Sequence, residues 1–252
     1  MNICLFSQEE ITKPLNVKDE RGEHILKILH KKAGETFTAG ILGGKSGTAT
    51  ITEIIDNKIF FSFEPSGEGK PLNPLKMIIG FPRPIQLKRL LRDIAALGVC
   101  EVHLTGTELG EKSYMQSTLV EKGNAYKMLL DGTVQAGSTH VPELFLHKTL
   151  NECLSFLSDD DVRLALDNKN PSMRLQNALL EKAATAKTAT TKTSPEQRII
   201  AAIGSERGWT DRERKLLEDN GFIRCGMGER IMRTETAATV AGSIILNYME
   251  CL

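Results

Sequence analysis

IIAAIGSERGWTDRE (199–213) and FIRCGMGERIMRTETAATVAG (222–242) each begin with an apolar run that ends in a glycine-containing turn. Short apolar runs of this kind are typical of buried strands, and amphipathic stretches like the ones that follow them are typical of helices. Ligands of parallel sheets bind beyond the carboxyl ends of the strands, so Gly204–Gly208 and Gly226–Arg233 are expected to lie side by side at one edge. The glycines indicate either backbone that approaches a flat ligand or ordinary turn chemistry.

The alternation of apolar strand and amphipathic helix extends back to Leu75 and predicts an α/β fold with a mostly parallel sheet. Thr210 and Glu213 fit a capping box, so a helix is predicted over 211–219. Residues 181–194 are rich in Lys, Thr and Ala, which favours a mobile surface connection, with an RNA contact as the alternative. The predicted strands are 75–81, 99–106, 162–167, 198–204 and 222–227, and the predicted helices begin near Pro84, Ser113, Thr149, Asp211 and Glu235.

The first part of the chain has a different pattern, in which short apolar stretches alternate with glycine-rich turns. It predicts a small β-barrel or sandwich over 1–72, with one helix at His24–His30. The segment GEGKPLNPL (67–75) is typical of a linker, and a chain of 252 residues is long enough for two domains. The predicted division is therefore 1–72 and 73–252.

A phosphate-loop pattern is present at Ala39, Gly44, Lys45 and Ser46. Such a loop requires a helix that starts at the lysine, because the amides of that helix hold the phosphate. The residues that follow are β-branched and alternate in polarity. A hairpin turn between two strands is therefore predicted, rather than a nucleotide hydrolase.

The composition excludes several classes of protein. A formal net charge of zero means that any nucleic-acid binding must come from local patches. One candidate patch is Arg83, Lys88, Arg89 and Arg92, although a solvated helix face would show the same spacing. No apolar run is long enough to span a membrane, and the first residues do not fit a secretory signal, which favours a cytoplasmic protein. The 5 cysteines and 5 histidines lack metal-ligand spacing, so neither disulfides nor a metal is predicted.

Five segments resemble the RsmE family of 16S rRNA (uracil-N3) methyltransferases, which belongs to the SPOUT superfamily. The segment GSERGWTDRE (204–213) is similar to the family's GPEGG loop, and GMGERIMRTETA (226–237) is similar to its LGxRILRTETA signature. The likeness extends to RDIAALGV (92–99), QAGSTHVPEL (135–144) and HILKILHKKAGETF (24–37), and so covers almost the whole chain.

The resemblance implies an N-terminal PUA-like β-barrel that binds RNA and a C-terminal SPOUT α/β domain with a deep trefoil knot. Such a knot departs from the usual rule of unknotted connections. It also implies a homodimer that uses S-adenosylmethionine to methylate ring nitrogen 3 of a uridine in 16S rRNA, within the small ribosomal subunit. A knotted RNA-binding protein with impaired catalysis, acting in ribosome assembly, is the alternative.

Most site residues follow from the same resemblance, whereas Leu166 and Asp167 are placed by their position at the end of a predicted strand. Arg233 is expected to stabilise the uracil anion, or else to pair with a carboxylate or hold the dimer. Glu206 is expected to orient the substrate, or else to interact with a helix dipole, and Thr234 to cap the last helix. The residues expected to bind S-adenosylmethionine are Ile203, Gly204, Glu206, Met227, Gly228, Ile231, Met232 and Arg233, with Leu166 and Asp167 on the adenine side.

The chain departs from the family pattern at four positions. Ser205 replaces a proline, Arg207 replaces a glycine, Ala96 replaces a glutamate, and Ser138 stands where the family has an arginine. The last change removes a cation from the expected RNA-binding surface. Either the substrate or the activity differs from that of the family, or Arg207 or His140 supplies the missing cation.

Overall fold

The structure is a computed structural model that describes residues 2–117, 120, 123–158, 161–188 and 198–252, with backbone only at 182–188. The chain forms two compact units. The first comprises Met1–Leu72 and Leu130–Val141, and the second comprises Asn73–Leu129 and Pro142–Leu252.

The first unit contains a five-stranded sheet in the order β1-β3-β4-β5-β2. Strands β1 and β3 are parallel, and the other pairs are antiparallel. Alternate residues of β3 and β4, such as Phe37, Ala39, Ala49 and Ile51, are buried in the core of this unit. The strands are β1 (Cys4–Phe6), β2 (Leu15–Asn16), β3 (Thr36–Ile41), β4 (Lys45–Ile55) and β5 (Lys58–Glu68).

Strands β3 and β4 form a hairpin, as the sequence predicts. Gly43 in the turn has φ +68°, a left-handed conformation that suits glycine. Lys45 begins a strand and not a helix, which rules out a phosphate loop here. The helix predicted at His24–His30 is shorter and of another kind: α1 (Glu20–Glu23) leads directly into a π-helical turn over His24–Ile28.

The second unit contains a seven-stranded sheet in the order β10-β12-β9-β11-β6-β7-β8, and every pairing in it is parallel. The five strands predicted from the sequence are confirmed, and β8 and β10 are additional. The strands are β6 (Asn73–Gly80), β7 (Val99–Thr105), β8 (Glu143–His147), β9 (Val162–Leu166), β10 (Met173–Arg174), β11 (Ile199–Ile203) and β12 (Ile223–Gly226).

Helices follow most of these strands. The predicted helix 211–219 is confirmed with both halves of its capping box, and Gly221 ends it at φ +77°. The helices are α2 (Pro84–Ala96), α3 (Lys112–Met115), α4 (Asn124–Ala136), α5 (Leu150–Leu154), α6 (Leu175–Thr188), α7 (Asp211–Asp219) and α8 (Thr234–Tyr248).

Two sequence predictions about helices are wrong. Residues 181–188 continue α6 and are not a loop, since alanines and lysines favour helix; residues 189–194 of the predicted connection lie outside the described residues. Thr234 does not cap α8. Arg233 occupies the N-cap position, and the Thr234 hydroxyl donates a hydrogen bond to the Gly204 carbonyl at 3.3 Å.

The core of the second unit holds β11 in the middle of its sheet. All residues of β11 are buried, which explains its continuous apolar sequence. Trp209, 2% exposed, packs in the same core, and its indole N–H donates to the Leu166 carbonyl at 3.2 Å. Among the described residues, no helix is long and apolar enough to cross a membrane.

Candidate cofactor pocket

A pocket of about 290 Å³ lies beyond the carboxyl ends of β9, β11 and β12. Nine of the ten residues predicted to bind the cofactor line it, and Arg233 is the exception. The lining residues are Leu166, Asp167, Asn168, Ile203, Gly204, Ser205, Glu206, Arg207, Gly208, Trp209, Cys225, Met227, Gly228, Arg230, Ile231, Met232, Thr234 and Ala237.

The loop from Gly204 to Gly208 depends on its glycines. A Cβ atom on Gly204 would lie 3.0 Å from the backbone of Gly208, and Gly208 itself has φ +71°. Gly228, in the second loop, has φ +124°. Side chains at these positions would be strained, which explains the glycines. Because glycine has no side chain, the backbone of both loops borders the pocket directly at these positions.

Ser205 is 7% exposed, and its hydroxyl is buried without a hydrogen-bond partner. A buried hydroxyl in this state costs free energy unless a ligand or water satisfies it. Because Ser205 lines the pocket, a polar group bound there could bond to this hydroxyl. The family proline that it replaces could not supply such a bond.

Asp167 lines the pocket, but its carboxylate already forms an ion pair and a hydrogen bond within the protein. Arg214 donates to Asp167 Oδ2 at 2.6 Å, and the two side chains are 12% and 2% exposed. The Lys169 amide donates to Asp167 Oδ1 at 3.1 Å. This pairing raises the pKa of Arg214 through its hydrogen bond with Asp167. The carboxylate therefore orders this rim. The Asp167 amide is also engaged, since it donates to the Cys225 carbonyl at 3.0 Å.

Glu206 and Arg83 form a pair at the mouth of the pocket. Arg83 Nε lies 3.2 Å from Glu206 Oε2, and the Arg83 amide donates to Glu206 Oε1 at 3.4 Å. A hydrogen bond with Tyr114, and then the charge of Glu206, raise the pKa of Arg83. Arg83 therefore contacts the first pocket loop, a link that the sequence did not reveal.

The remaining predicted cations differ in their surroundings. Lys88, Arg89 and Arg92 lie on the exposed side of α2. Arg207 pairs with Glu111 at 3.2 Å. His140 belongs to the first compact unit, where its ring contacts the Thr139 hydroxyl at 3.1 Å.

Arg230 is the cation that sequence reasoning missed. It is exposed and lines the pocket, whereas the predicted Arg233 stands three residues later at the start of α8. Both arginines belong to the same GERIMR segment, so the motif was the right signal.

A buried polar cluster lies away from the pocket loops, on β7, β8 and α5. His103 Nδ1 and His147 Nε2 are 3.0 Å apart, and His103 Nε2 donates to Glu101 at 3.2 Å. Burial lowers the pKa of both imidazoles and raises that of the Cys153 thiol to about 12. One ligand-type atom from each of these two histidines and Cys153 lies within 4.8 Å of the others. A protonated thiol beside paired imidazoles is a hydrogen-bonded core cluster, and the absence of a metal stays a prediction.

Comparison with known proteins identifies the relatives of this chain. Residues 68–246 match the family described as RNA methyltransferase domain. The chain is 39% identical over 255 residues to the ribosomal RNA small subunit methyltransferase E of Treponema pallidum, across 98% of this chain and 91% of that protein. It is 32% identical to the ribosomal RNA small subunit methyltransferase E 1 of Borreliella burgdorferi, across 97% of both chains.

Solved structures agree with this result at the level of the fold. The ribosomal RNA small subunit methyltransferase E from Neisseria gonorrhoeae, bound to S-adenosyl methionine, matches with a TM-score of 0.75 at 19% identity. That match covers 98% of this chain and 97% of the other. A putative methyltransferase from Legionella pneumophila, in complex with the same cofactor, matches with a TM-score of 0.74 at 21% identity. By its sequence and its fold, the chain belongs to the ribosomal RNA small subunit methyltransferase E family of RNA methyltransferases.

Proposed function

We propose that this protein transfers a methyl group from S-adenosylmethionine to ring nitrogen 3 of a uridine in 16S rRNA. The observation that carries the proposal is the pocket at the ends of β9, β11 and β12. Both motifs that resemble the family line it, with Ile203–Trp209 on one side and Met227, Gly228 and Arg230–Met232 on the other. Relatives over nearly the full length carry the corresponding name.

The pocket has features that fit S-adenosylmethionine. Glycine backbone at Gly204 and Gly208 allows close approach of a ligand, and the buried Ser205 hydroxyl lacks a partner. Leu166 and Ile203 supply apolar surface for a ring, while the main chain of the second loop supplies polar groups. We propose the nine predicted lining residues as the cofactor contacts.

When bound, S-adenosylmethionine supplies a methyl group on a positively charged sulfur. The residues of this chain must then hold the uracil and help its N3 proton to leave. The electron pair of N3 would form the new bond to the methyl carbon as the carbon–sulfur bond breaks and its electrons stay on the sulfur. The N3 proton would pass to solvent or to a carboxylate. A cation near the uracil carbonyls would stabilise the negative charge that develops on the ring.

Arg230 and Arg233 are the proposed cations for this role. Arg230 lines the pocket, and Arg233 adjoins the pocket residue Thr234. The carboxylate of Glu206, which forms an ion pair with Arg83 at the pocket mouth, is the proposed group for orienting the substrate. An ion pair held by two contacts gives the loop a defined position before substrate arrives.

We propose that residues 1–72 form a PUA-like RNA-binding domain and that 73–252 form a SPOUT domain with a deep trefoil knot. The mixed five-stranded sheet supports the first assignment. The second is supported by strand order, because β12 pairs with β9 on the side opposite β11 and α8 then returns to contact β6 and β11.

The proposed activity implies RNA as a binding partner. Arg83, Lys88, Arg89, Arg92, Arg207 and His140 are the proposed RNA contacts, and the small ribosomal subunit, which is assembled in the cytoplasm, is the proposed substrate. We also propose a homodimer. An exposed apolar surface between α6 and α8 supports it, with Leu180 57% exposed beside Ile244 and Tyr248.

Nucleoside mass spectrometry after reaction in vitro tests the proposed activity. Small ribosomal subunits that lack 3-methyluridine are incubated with the protein and S-adenosylmethionine. We expect one 3-methyluridine per subunit. Retained binding of the subunits without any methyl transfer would instead support an RNA-binding role in ribosome assembly.

A further inference from the structure

A second cleft opens at the same edge of the parallel sheet, beyond the carboxyl ends of β7 and β8. Its volume is about 370 Å³, against about 290 Å³ for the cofactor pocket. This size is within the range of small-molecule sites. It is lined by Phe81, Gly106, Thr107, Glu108, Gly110, Glu111, Lys112, Met115, Lys148, Thr149, Leu150, Asn151, Arg212, Glu213 and Leu216.

The cleft is a direct neighbour of the cofactor pocket. Arg207 of the pocket and Glu111 of the cleft form an ion pair of 3.2 Å. A Cβ atom on Gly80, at the end of β6, would collide with both the Ser205 amide and the Thr107 methyl group. The glycine therefore lets the loops of the two sites approach each other, and they share one wall.

The floor of the cleft is apolar, and its wall contains one hydroxyl without a hydrogen-bond partner. Phe81 and Leu150 are 4% and 3% exposed, and Met115 and Leu216 also line the cleft. The Thr107 hydroxyl is buried without a hydrogen-bond partner. A hydroxyl can donate and accept, so it can bond to the polar edge of a flat ring that lies on this floor.

The acidic groups of the cleft already have partners. Both oxygens of Glu213 accept backbone hydrogen bonds, from Glu108 at 2.8 Å and Thr210 at 2.9 Å. Glu108 accepts from the Thr210 hydroxyl at 2.7 Å and lies 3.5 Å from Arg212. The charges of Glu108 and Glu111 are therefore paired with arginines, whereas the hydrogen bonds of Glu213 come from neutral amides. With two lysines against this one carboxylate, the cleft keeps an excess of positive charge for an anion.

Lys112 and Lys148 supply that positive charge. Both side chains are exposed, and they come from separate segments, one at the start of α3 and one just after β8. Lysine ammonium groups are common partners of phosphate. An apolar floor, a hydroxyl for a ring edge and two lysines together match the base and phosphate of one nucleotide.

We propose that this cleft binds one unpaired nucleotide of the RNA that flanks the methylated uridine. Its base lies on Phe81 and Met115 and bonds to the Thr107 hydroxyl, while Lys112 and Lys148 bind its phosphates. The proposal rests on the proposed function, which supplies RNA as the substrate. Its consequence is that the cleft positions the target at the neighbouring pocket without contacting the cofactor.

Steady-state methylation of small ribosomal subunits, together with their equilibrium binding, tests this role. Thr107→Val and the double variant Lys112→Ala/Lys148→Ala are each expected to raise KM and Kd for the subunits about tenfold. The Kd for S-adenosylmethionine, measured by calorimetry, should stay unchanged. Thr107→Ser keeps the hydroxyl and should retain wild-type KM. Lys112→Ala and Lys148→Ala are also measured singly against Lys215→Ala, which removes one exposed lysine on α7 and is the matched charge control.

The outcomes separate the cleft from the activity itself. If the wild-type protein transfers no methyl group, the proposed function fails, and subunit binding still tests the cleft. If Thr107→Val binds and methylates subunits like the wild type, no base occupies the cleft and the inference is overturned. A loss in Lys215→Ala as large as that in Lys112→Ala or Lys148→Ala alone would also overturn it, because the effect would then be general charge.

Discussion

Arg230 and Arg233 are three residues apart, yet only Arg230 borders the pocket. If a cation stabilises the uracil anion, Arg230→Ala should lower kcat by about a hundredfold or more and leave the Kd of S-adenosylmethionine nearly unchanged. Arg233→Ala should have a smaller effect on kcat. Single-turnover methylation of small ribosomal subunits measures both. A larger loss in Arg233→Ala would reverse the assignment and support the sequence prediction.

The buried imidazoles make stability depend on pH. Burial lowers the pKa of His103 and His147 below the ordinary histidine value of about 6.5, so protons bind more readily to the unfolded chain. Their contribution is complete above that value and is lost as the pH falls through the folded pKa. Each proton bound only by the unfolded chain removes about 1.4 kcal/mol per pH unit.

Urea unfolding at pH 7.5, 6.5 and 5.5 measures this dependence. The free energy of unfolding of the wild type should fall more steeply with acid than that of His147→Phe, in which one titrating group is absent. His140→Phe, a histidine outside the cluster, is the control and should keep the wild-type slope. Identical slopes in all three proteins would exclude the cluster as the cause.

At the residue scale, the sequence was sufficient to predict the pocket residues that act through their backbone. Gly204, Gly228 and their neighbours could be predicted as pocket residues because they follow the carboxyl ends of strands, where ligands of parallel sheets bind. Side-chain partners were not predictable in the same way. Asp167 and its partner Arg214 are 47 positions apart, and only the fold brings them together. Asp167 was therefore predicted to line the pocket without its ion pair.

At the scale of elements, the capping box of α7 links the helix to the loops around the pocket. The Thr210 hydroxyl accepts from the Glu213 amide at 3.1 Å. Thr210→Ala should lower the free energy of unfolding by about 1 kcal/mol, and Thr210→Ser should retain most of it. Urea unfolding at pH 7.5 compares the three proteins. Equal stability of the alanine and serine variants would show that the cap contributes nothing.

Elements with a strong pattern were predictable, and those decided by tertiary context were not. Strand β11 is fully buried and continuously apolar, and β9 is apolar except for the partly exposed Arg163; the sequence predicts both strands. Strand β8 (Glu143–His147) escaped because it lies at the edge of the sheet, where Glu143 and Leu146 are exposed and the apolar pattern is weak. The start of α6 escaped for a similar reason, since Leu180 remains exposed.

At the scale of the whole molecule, the exposed apolar surface of α6 and α8 predicts self-association. Leu180→Arg would place a charge in that surface and should convert a dimer to a monomer. Light scattering coupled to gel filtration measures the mass. Leu42→Arg, at a position 37% exposed in the first unit, is the control and should remain a dimer. A monomeric wild-type protein would contradict the proposed homodimer.

The two-unit organisation was only partly visible in the sequence. The change from hairpin pattern to strand–helix pattern near residue 73 marks a real change in architecture, from a mixed sheet to a parallel one. The assignment of Leu130–Val141 to the first unit was not foreseen. Within that segment, Thr139 contacts a residue far away in the sequence: its hydroxyl donates to the Gly44 carbonyl at 2.7 Å. The periodicity of the local sequence cannot predict such a contact.

The central claim is that the pocket between the two glycine-containing loops holds S-adenosylmethionine. Calorimetric titration of the cofactor into the wild type and Ala237→Phe tests it, since Ala237 lines the pocket and a phenyl ring would fill part of it. Thr236→Phe, at the exposed neighbouring position of α8, is the control. We predict one site per chain in the wild type and control, and at least a tenfold weaker Kd in Ala237→Phe. Binding that is absent from the wild type, or equally tight in Ala237→Phe, would contradict the claim.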